Sequence, residues 1–185
     1  GYFMQYVLAS ASPRRKELLS LVIPEFEVVP ATAEEKVNMS LFPENVALSI
    51  AESKCEEVYA KFPDKIVIGC DTVVVFGGEI LGKPKTRTEA YETLKRLSGK
   101  THYVLTAVCI KNQHKKLLEY DRTEVKFNIL SDEFIRLYVD SGSPMDKAGS
   151  YGIQDGGLVK EYFGSYTNVV GLPVTLVKKM LKEIR

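Results

Sequence analysis

Short β-branched, apolar runs alternate along the chain with longer segments whose apolar residues recur at helical spacing. The runs predict strands at residues 6–9, 26–29, 66–76, 79–81, 103–111 and 117–128. Helices are predicted to begin near Ser12, Glu44, Thr86, Ser131 and Pro173. This order of strands and helices predicts an α/β fold with a mixed sheet.

Several of these boundaries carry local signals. Ser12-Pro13 is typical of an N-cap followed by the first helical residue. Thr86 and Glu89 have the spacing of a capping box. Gly77-Gly78, between a long apolar run and a short one, predicts a two-residue hairpin turn. The start of a helix and the turn of a hairpin are therefore fixed by residue type as well as by periodicity.

A glycine-rich stretch interrupts the periodic pattern near the C-terminus. Seven of the thirteen glycines fall between Gly142 and Gly171, and no regular element is predicted there. A long irregular stretch inside a compact domain is usually a functional loop. The alternative is a mobile loop on the surface, but Tyr151, Ile153 and Tyr162 give the stretch apolar groups to bury. We therefore favour a functional loop.

Composition limits the classes of function. The 185 residues suit one domain, and an apolar fraction of 45% is enough for a globular core. The formal net charge is only +1, far from the basic excess of proteins that bind nucleic acid without sequence preference. No apolar run reaches the length of about 20 residues that a membrane-spanning helix needs. We expect neither a nucleic-acid nor a membrane partner.

The cysteines indicate a reducing compartment. Their number is odd, three, they lack CxxC spacing, and no secretory signal precedes them. We expect reduced, buried thiols in a cytoplasmic protein. Gly1, Tyr2 and Phe3 precede Met4 and have the character of an added extension, so the predicted domain comprises residues 4–185.

Arg14 and Arg15 break a local rule of helix formation. They fall in the opening turn of the first helix, where free backbone N–H groups already create positive charge and acidic residues are favoured. A bound anion would reverse this preference, because N–H groups and guanidinium groups both bind phosphate. The alternative is a pair of solvated surface arginines. Helical spacing places both on the side of Leu18 and Leu19, so we favour an anion site.

Lys54 lies inside the apolar stripe of the second predicted helix. Ile50, Ala51, Cys55 and Val58 belong to the same stripe. A buried ammonium group without a partner is costly. Periodicity alone leaves two interpretations open: the side chain extends along the surface to reach water, or it lines a cleft and faces an anion.

Asp71 interrupts an apolar strand, where a carboxylate needs a metal, a cation or a proton to transfer. The alternative is an aspartate that accepts backbone hydrogen bonds at a break in the strand. The two-residue hairpin would place Thr72 opposite Lys83, with Asp71 next to Thr72. Strict pleating then puts Asp71 and Lys83 on opposite faces, so a bulge or a strand end near Gly82 is needed to bring them together. With the arginines, Lys54 and the Glu34-Glu35 pair, they indicate a polyanion site with a divalent ion.

The sequence resembles the Maf family of nucleotide pyrophosphatases, which have also been described as septum-formation-inhibitor-like proteins. Five stretches carry the resemblance and cover nearly the whole chain in the family's order: LASASPRRKELL (8–19), GCDTVVVFGGEILGKP (69–84), LSGKTHYVLTAV (97–108), DKAGSYGIQ (146–154) and FGSYTNVVGLP (163–173). No GxxxxGK[ST] loop occurs, so the chain is not a P-loop enzyme.

The resemblance implies an elongated, two-lobed fold with a central cleft, similar to inosine triphosphate pyrophosphatases. It implies hydrolysis of pyrimidine and noncanonical nucleoside triphosphates at the α-phosphate, assisted by Mg²⁺ or Mn²⁺. By the same resemblance, Asp71 is the proton acceptor and Glu35 an acidic residue for activity and metal binding, with Asp71 as a second metal ligand. The phosphate-binding set implied is Ser10, Arg14, Arg15, Lys54 and Lys83. For Lys54, this favours the cleft.

Three positions resemble the subgroup that acts on thymidine and uridine triphosphates: Arg14, Thr72 and Gln154. A sister subgroup acting on 7-methylguanosine triphosphate tends to carry Tyr, Gln and Glu there. Asp155 departs from the family pattern, which usually has glycine after the glutamine, and its charge is expected to weaken triphosphate binding.

Two alternative classes of function are considered beside a nucleotide pyrophosphatase. One is a nucleotide-binding regulator of cell division without turnover, and the other is a phosphotransferase or monophosphate hydrolase. A homodimer is expected by analogy only.

Overall fold

A computed structural model of the chain describes residues 5–32, 38 and 41–185. The strands are β1 (Tyr6–Leu8), β2 (Glu27–Val28), β3 (Ile66–Phe76), β4 (Glu79–Leu81), β5 (Thr101–Lys111), β6 (Lys116–Phe127) and β7 (Val159–Phe163). The helices are α1 (Pro13–Ser20), α2 (Pro43–Tyr59), α3 (Arg87–Leu97), α4 (Asp132–Asp140), α5 (Tyr166–Val170) and α6 (Val174–Glu183). Two short 3-10 turns, Ser143–Asp146 and Ala148–Ser150, follow α4.

The predicted N-caps and hairpin turn are present, whereas the predicted capping box is only half formed, because among the described residues Glu89 makes no return hydrogen bond to Thr86 N. The Ser12 hydroxyl accepts from Arg15 N at the start of α1, and the Thr86 hydroxyl accepts from Glu89 N at the start of α3. Gly77 and Gly78 both have positive φ in the turn between β3 and β4. In the part of the chain that the structure describes, no helix is both long enough and apolar enough to cross a membrane.

The sheet is mixed and has the order β2-β1-β3-β5-β6-β7. β1 pairs in parallel with β2 and β3, and the remaining pairs are antiparallel. β3 lies at the centre of the sheet, with strands paired along both of its edges. β5 pairs with one edge from Val67 to Val75. Along the other edge β1 covers 66–68 and β4 covers 74–76. Among the described strands none pairs with this edge between 69 and 73, so the sheet has a gap at its centre.

Apolar clusters pack on either side of this gap and form the two lobes. One joins α1 and α6 to β1 and the first half of β3, with Leu8, Leu19 and Met180 fully buried. Another joins α3 and α4 to the far ends of β5 and β6, with Leu94 and Phe127 at its centre. A third packs α2 on the opposite face of the sheet. The predicted α/β fold with a cleft between lobes is confirmed.

The glycine-rich segment contains more regular structure than predicted. Besides the two 3-10 turns it includes β7 and α5, so the prediction of an irregular loop was wrong for these residues. β7 is an edge strand that pairs only with β6 among the described strands, and four of its five residues are exposed. A strand that buries neither face lacks the alternation of apolar and polar residues by which strands are recognised. α5 has only five residues, too few for a helical period to be visible.

All three cysteines are free and buried, as expected.

Candidate active site

A cavity of about 480 Å³ opens at the gap in the sheet. It is lined by the first turn of α1, by α2, by the middle of β3, by the end of the β3–β4 hairpin and by the loop from Asp146 to Gln154. Seven of the predicted site residues line it: Arg14, Arg15, Lys54, Asp71, Thr72, Lys83 and Gln154. Residues far apart in the chain therefore meet at one place.

The first turn of α1 presents both arginines to the cavity. Arg14 and Arg15 are half-buried, whereas Lys16 and Glu17 on the opposite side of the helix are exposed. Arg14 contacts the cavity wall loosely, since its Nη1 lies 3.9 Å from Asp146 Oδ2. A guanidinium that is only loosely held at the first turn of a helix is well suited to bind a phosphate. The prediction that both arginines face inward is confirmed.

Arg15 is held much more firmly. Its Nε donates to the Gly171 carbonyl oxygen (2.8 Å), and its Nη2 donates to the Thr72 hydroxyl (3.0 Å). Its Nη1 lies 3.4 Å from the Ser10 hydroxyl. A guanidinium has more N–H donors than these three contacts use. Arg15 can therefore bind an anion while it ties α1 to β3 and to the loop before α6.

Ser10 and Thr72 act through Arg15 in this structure. Ser10 is buried and does not line the cavity; its hydroxyl accepts from Ser12 N (3.1 Å) and from Arg15. Thr72 does line the cavity, and its hydroxyl shares a hydrogen bond of 2.8 Å with Thr106 on β5. Thr106 in turn donates to the Asn168 carbonyl oxygen, so the guanidinium is anchored to a buried polar network.

Lys54 and Asp71 form an ion pair at the cavity wall. Lys54 Nζ lies 3.4 Å from Asp71 Oδ1, and the two side chains are 21% and 9% exposed. β3 is continuous through Asp71, so the alternative of an aspartate at a strand break does not hold. The ammonium faces the cavity, which decides between the two interpretations of Lys54. Asp71 lines the cavity as well, so a largely buried carboxylate is held beside a cation at the cavity wall.

Gly69 makes this pairing possible because it lets α2 approach β3 closely. A Cβ atom at residue 69 would lie 2.7 Å from the Ala51 carbonyl oxygen and 2.8 Å from Cys55 N. These distances are far below ordinary contact, and both neighbours are backbone atoms of α2. The absence of a side chain therefore sets the distance between Lys54 and Asp71.

Lys83 reaches the cavity because β4 ends early. The hairpin register pairs Val74 with Leu81, and β4 stops at Leu81, before Thr72 and Lys83 could form a strict pair. Because Lys83 lies beyond the end of β4, it does not follow the alternation of side chains in the strand, and it lines the same cavity as Asp71. The predicted strand end near Gly82 is confirmed.

Lys147 is a further cation of the site, and it was not predicted from the sequence. It lines the cavity, and its Nζ contacts Asp146 Oδ1 (3.0 Å) and the Ser143 carbonyl oxygen (2.6 Å). It lies inside the stretch 146–154 that carries the resemblance, but a single lysine beside an aspartate shows nothing unusual in the sequence. With Lys147, five cationic side chains line the cavity against two carboxylates, in a chain whose net charge is only +1.

Tyr151, which packs against the buried His102, supplies an uncharged part of the wall. Tyr151 lines the cavity, its hydroxyl lies 2.6 Å from His102 Nε2, and both rings pack edge to face against Phe127. Burial lowers the pKa of His102 to about 4, so the imidazole is neutral at neutral pH. The cations of the wall thus come from α1, α2, the hairpin and Lys147, while Tyr151 adds a part of the wall that carries no charge.

Glu34 and Glu35 lie outside the described residues. Among residues 5–32, 38 and 41–185, no three His, Cys, Asp or Glu side chains cluster as metal ligands would. Of the two carboxylates that line the cavity, Asp71 pairs with Lys54, and Asp146 contacts Lys147 and, more loosely, Arg14. Magnesium is commonly held by one or two carboxylates together with substrate phosphates, and this donor set fits such a site.

The fold and the cavity define an α/β protein with a cationic cleft for a small polyanion. The chain belongs to the Maf family, since the family described as Maf-like protein matches residues 5–184. It is 49% identical over 179 residues to a dTTP/UTP pyrophosphatase of Bacillus velezensis, covering 96% of this chain and 95% of that one. It is 46% identical over 183 residues to a dTTP/UTP pyrophosphatase of Aquifex aeolicus, covering 98% and 96%.

Solved structures include a protein with a similar fold at low sequence identity. The Staphylococcus aureus Ham1 protein matches with a TM-score of 0.56 and 14% identity, over 98% of this chain and 100% of that one. The likeness supports the two-lobed architecture.

Proposed function

We propose that the protein hydrolyses dTTP, UTP and related pyrimidine nucleoside triphosphates to the monophosphate and pyrophosphate. The observation that carries the proposal is the Lys54–Asp71 pair in a cavity with four further cations. The relatives named dTTP/UTP pyrophosphatase support the reaction and the substrates. An enzyme of this kind acts where nucleotide pools lie, in the cytoplasm.

In the proposed mechanism Asp71 accepts the proton of the water that attacks the α-phosphorus. Lys54 keeps the Asp71 carboxylate oriented toward the cavity. Arg14, Arg15 and Lys83 stabilise the negative charge that builds up on the departing pyrophosphate. Lys147, on the other side of the cavity, adds to this field.

We also propose that the reaction requires a divalent cation, Mg²⁺ or Mn²⁺. Asp71 would hold it together with phosphate oxygens and Glu35. When bound, such an ion neutralises phosphate charge and lowers the pKa of a coordinated water.

The test is a panel of nucleoside triphosphates assayed for pyrophosphate, with and without Mg²⁺ or Mn²⁺. We expect pyrophosphate release to be fastest with dTTP and UTP, and to stop when EDTA is added. Binding without release would indicate a regulator instead. Orthophosphate or ADP as the product would indicate a phosphatase or a phosphotransferase.

Gln154 is proposed to recognise the base. It lines the cavity, and its amide can donate to O4 and accept from N3–H of uracil or thymine. Changing Gln154 to Glu removes the donor, so we expect kcat/KM for UTP to fall by about tenfold, which corresponds to roughly 1.4 kcal/mol. Steady-state kinetics with UTP and GTP measure the effect. Unchanged selectivity would rule out this role for Gln154.

A further inference from the structure

The residues that carry Gln154 form a closed turn with no helix or strand of its own. Asp155 N donates to the Gly152 carbonyl oxygen (3.0 Å), which closes the turn 152–155. Ile153 and Gln154, at its tip, both line the cavity. A short turn at a cavity wall keeps a side chain in place only if the turn itself is anchored.

Tyr138 on α4 anchors both ends of this turn. Its hydroxyl accepts from Gly152 N (3.0 Å) and donates to Asp155 Oδ2 (2.6 Å). A single hydroxyl group therefore makes a hydrogen bond to each end of the turn, as the donor to Asp155 and as the acceptor from Gly152. α4 packs through the buried residues Ile135 and Val139, so the anchor is part of a rigid element.

Asp155 is engaged from a second direction as well. Its Oδ2 also accepts from the Ser143 hydroxyl (2.7 Å), and Lys147 Nζ lies 3.2 Å from that hydroxyl. Burial raises the pKa of Asp155, but the hydrogen bonds from Tyr138 and Ser143 and the charges of Lys147 and Arg14 together lower it below its usual value. The carboxylate is thus held ionised as an acceptor, and hydrogen bonds to an ionised acceptor are the stronger ones.

We propose that Tyr138 and Asp155 are positioning residues that hold the turn 152–155 and so fix Gln154 for discrimination between nucleotide bases. This inference rests on the proposed function and assigns the selectivity of the same site to groups outside the cavity. From the sequence alone, the charge of Asp155 is expected to weaken triphosphate binding. The proposal gives Asp155 a different role, because its carboxylate accepts hydrogen bonds from two hydroxyl groups.

The first test compares Tyr138→Phe with Tyr91→Phe. Tyr138→Phe removes the two hydrogen bonds between the Tyr138 hydroxyl and the turn and keeps the ring. We expect KM for UTP to rise about tenfold and the preference of kcat/KM for UTP over GTP to fall about tenfold, with kcat within about twofold, because Arg14, Lys54 and Asp71 are untouched. Tyr91→Phe is the matched control, since the Tyr91 hydroxyl also donates to an aspartate, Asp132 (2.9 Å), but this aspartate lies outside the turn 152–155. It should change neither value.

The second test separates hydrogen bonding from charge. Asp155→Asn keeps an oxygen that can accept from Tyr138 and Ser143 but removes the charge, whereas Asp155→Ala removes both. We expect Asp155→Asn to retain the preference for UTP within about twofold and Asp155→Ala to lose it as Tyr138→Phe does. Thermal unfolding of each variant identifies any that fails to fold, and Asp155→Asn is the mildest change.

Two results would overturn the proposal. One is wild-type selectivity in folded Tyr138→Phe and Asp155→Ala. The other is a tenfold fall in KM for UTP in Asp155→Asn, which would show that Asp155 acts through its charge. If the wild-type protein releases no pyrophosphate, the proposed function fails, and calorimetric titration of the same variants with UTP and GTP still decides the role of the turn.

Discussion

Replacing Asp71 with Asn is expected to lower the rate of pyrophosphate release from UTP by on the order of 10²-fold or more. The amide has the shape of the carboxylate and its oxygen can still accept from Lys54, which lies 3.4 Å away in the wild type. It cannot take a proton from water. The loss should therefore appear in kcat, measured from initial rates at saturating UTP, while the protein keeps its fold.

Asp64→Asn is the control for this experiment, because it makes the same chemical change at an exposed aspartate outside the cavity. It should leave the rate unchanged. A near-normal kcat for Asp71→Asn would show that another group takes the proton, and the mechanism proposed above would then be wrong.

The second large effect is expected from a residue with no functional group. Gly69→Ala would place a methyl group 2.7 to 2.9 Å from backbone and Cβ atoms of α2, at Ala51 and Cys55. Overpacking of this kind typically costs about 1–3 kcal/mol of stability. α2 carries Lys54, so it must also move away from Asp71, and a misplacement of about 1 Å in an active site can cost about 10²-fold in rate.

Urea unfolding and initial rates measure the two effects of Gly69→Ala separately. Gly156→Ala is the control, since a Cβ atom there meets nothing within 4 Å. If Gly69→Ala were as stable and as active as the wild type, the close approach of α2 to β3 would not set the geometry of the Lys54–Asp71 pair.

The core of the site could be predicted from the sequence because its residues violate local rules. Two arginines in the first turn of a helix, a lysine in an apolar stripe and an aspartate in a buried strand all carry a cost, and the lysine and the aspartate offset part of it by pairing with each other. The bounds of β3 and β4 also follow from the sequence, since β-branched runs and a Gly-Gly turn leave little choice of register. Such predictions rest on single elements and their periodicity.

Other parts of the site depend on contacts that no local pattern reveals. The bond from Arg15 to the Gly171 carbonyl oxygen joins residues 156 positions apart. Tyr138 appears in the sequence as one aromatic residue of an amphipathic helix, and its hydroxyl acquires a role only when the turn 152–155 packs against it. The edge strand β7 could not be recognised in the sequence, because it is stabilised by pairing with β6 and not by burial of its own side chains.

The continuity of β3 and β5 limits how the enzyme can respond to its substrate. Both strands run through the two lobes and pair along nearly their whole length. Large domain closures take place where a few loop or terminal residues absorb the rotation, and paired strands offer no such joint. Discrimination in this protein should therefore be built into the unliganded state, with the wall of the cleft prepared before a nucleotide arrives.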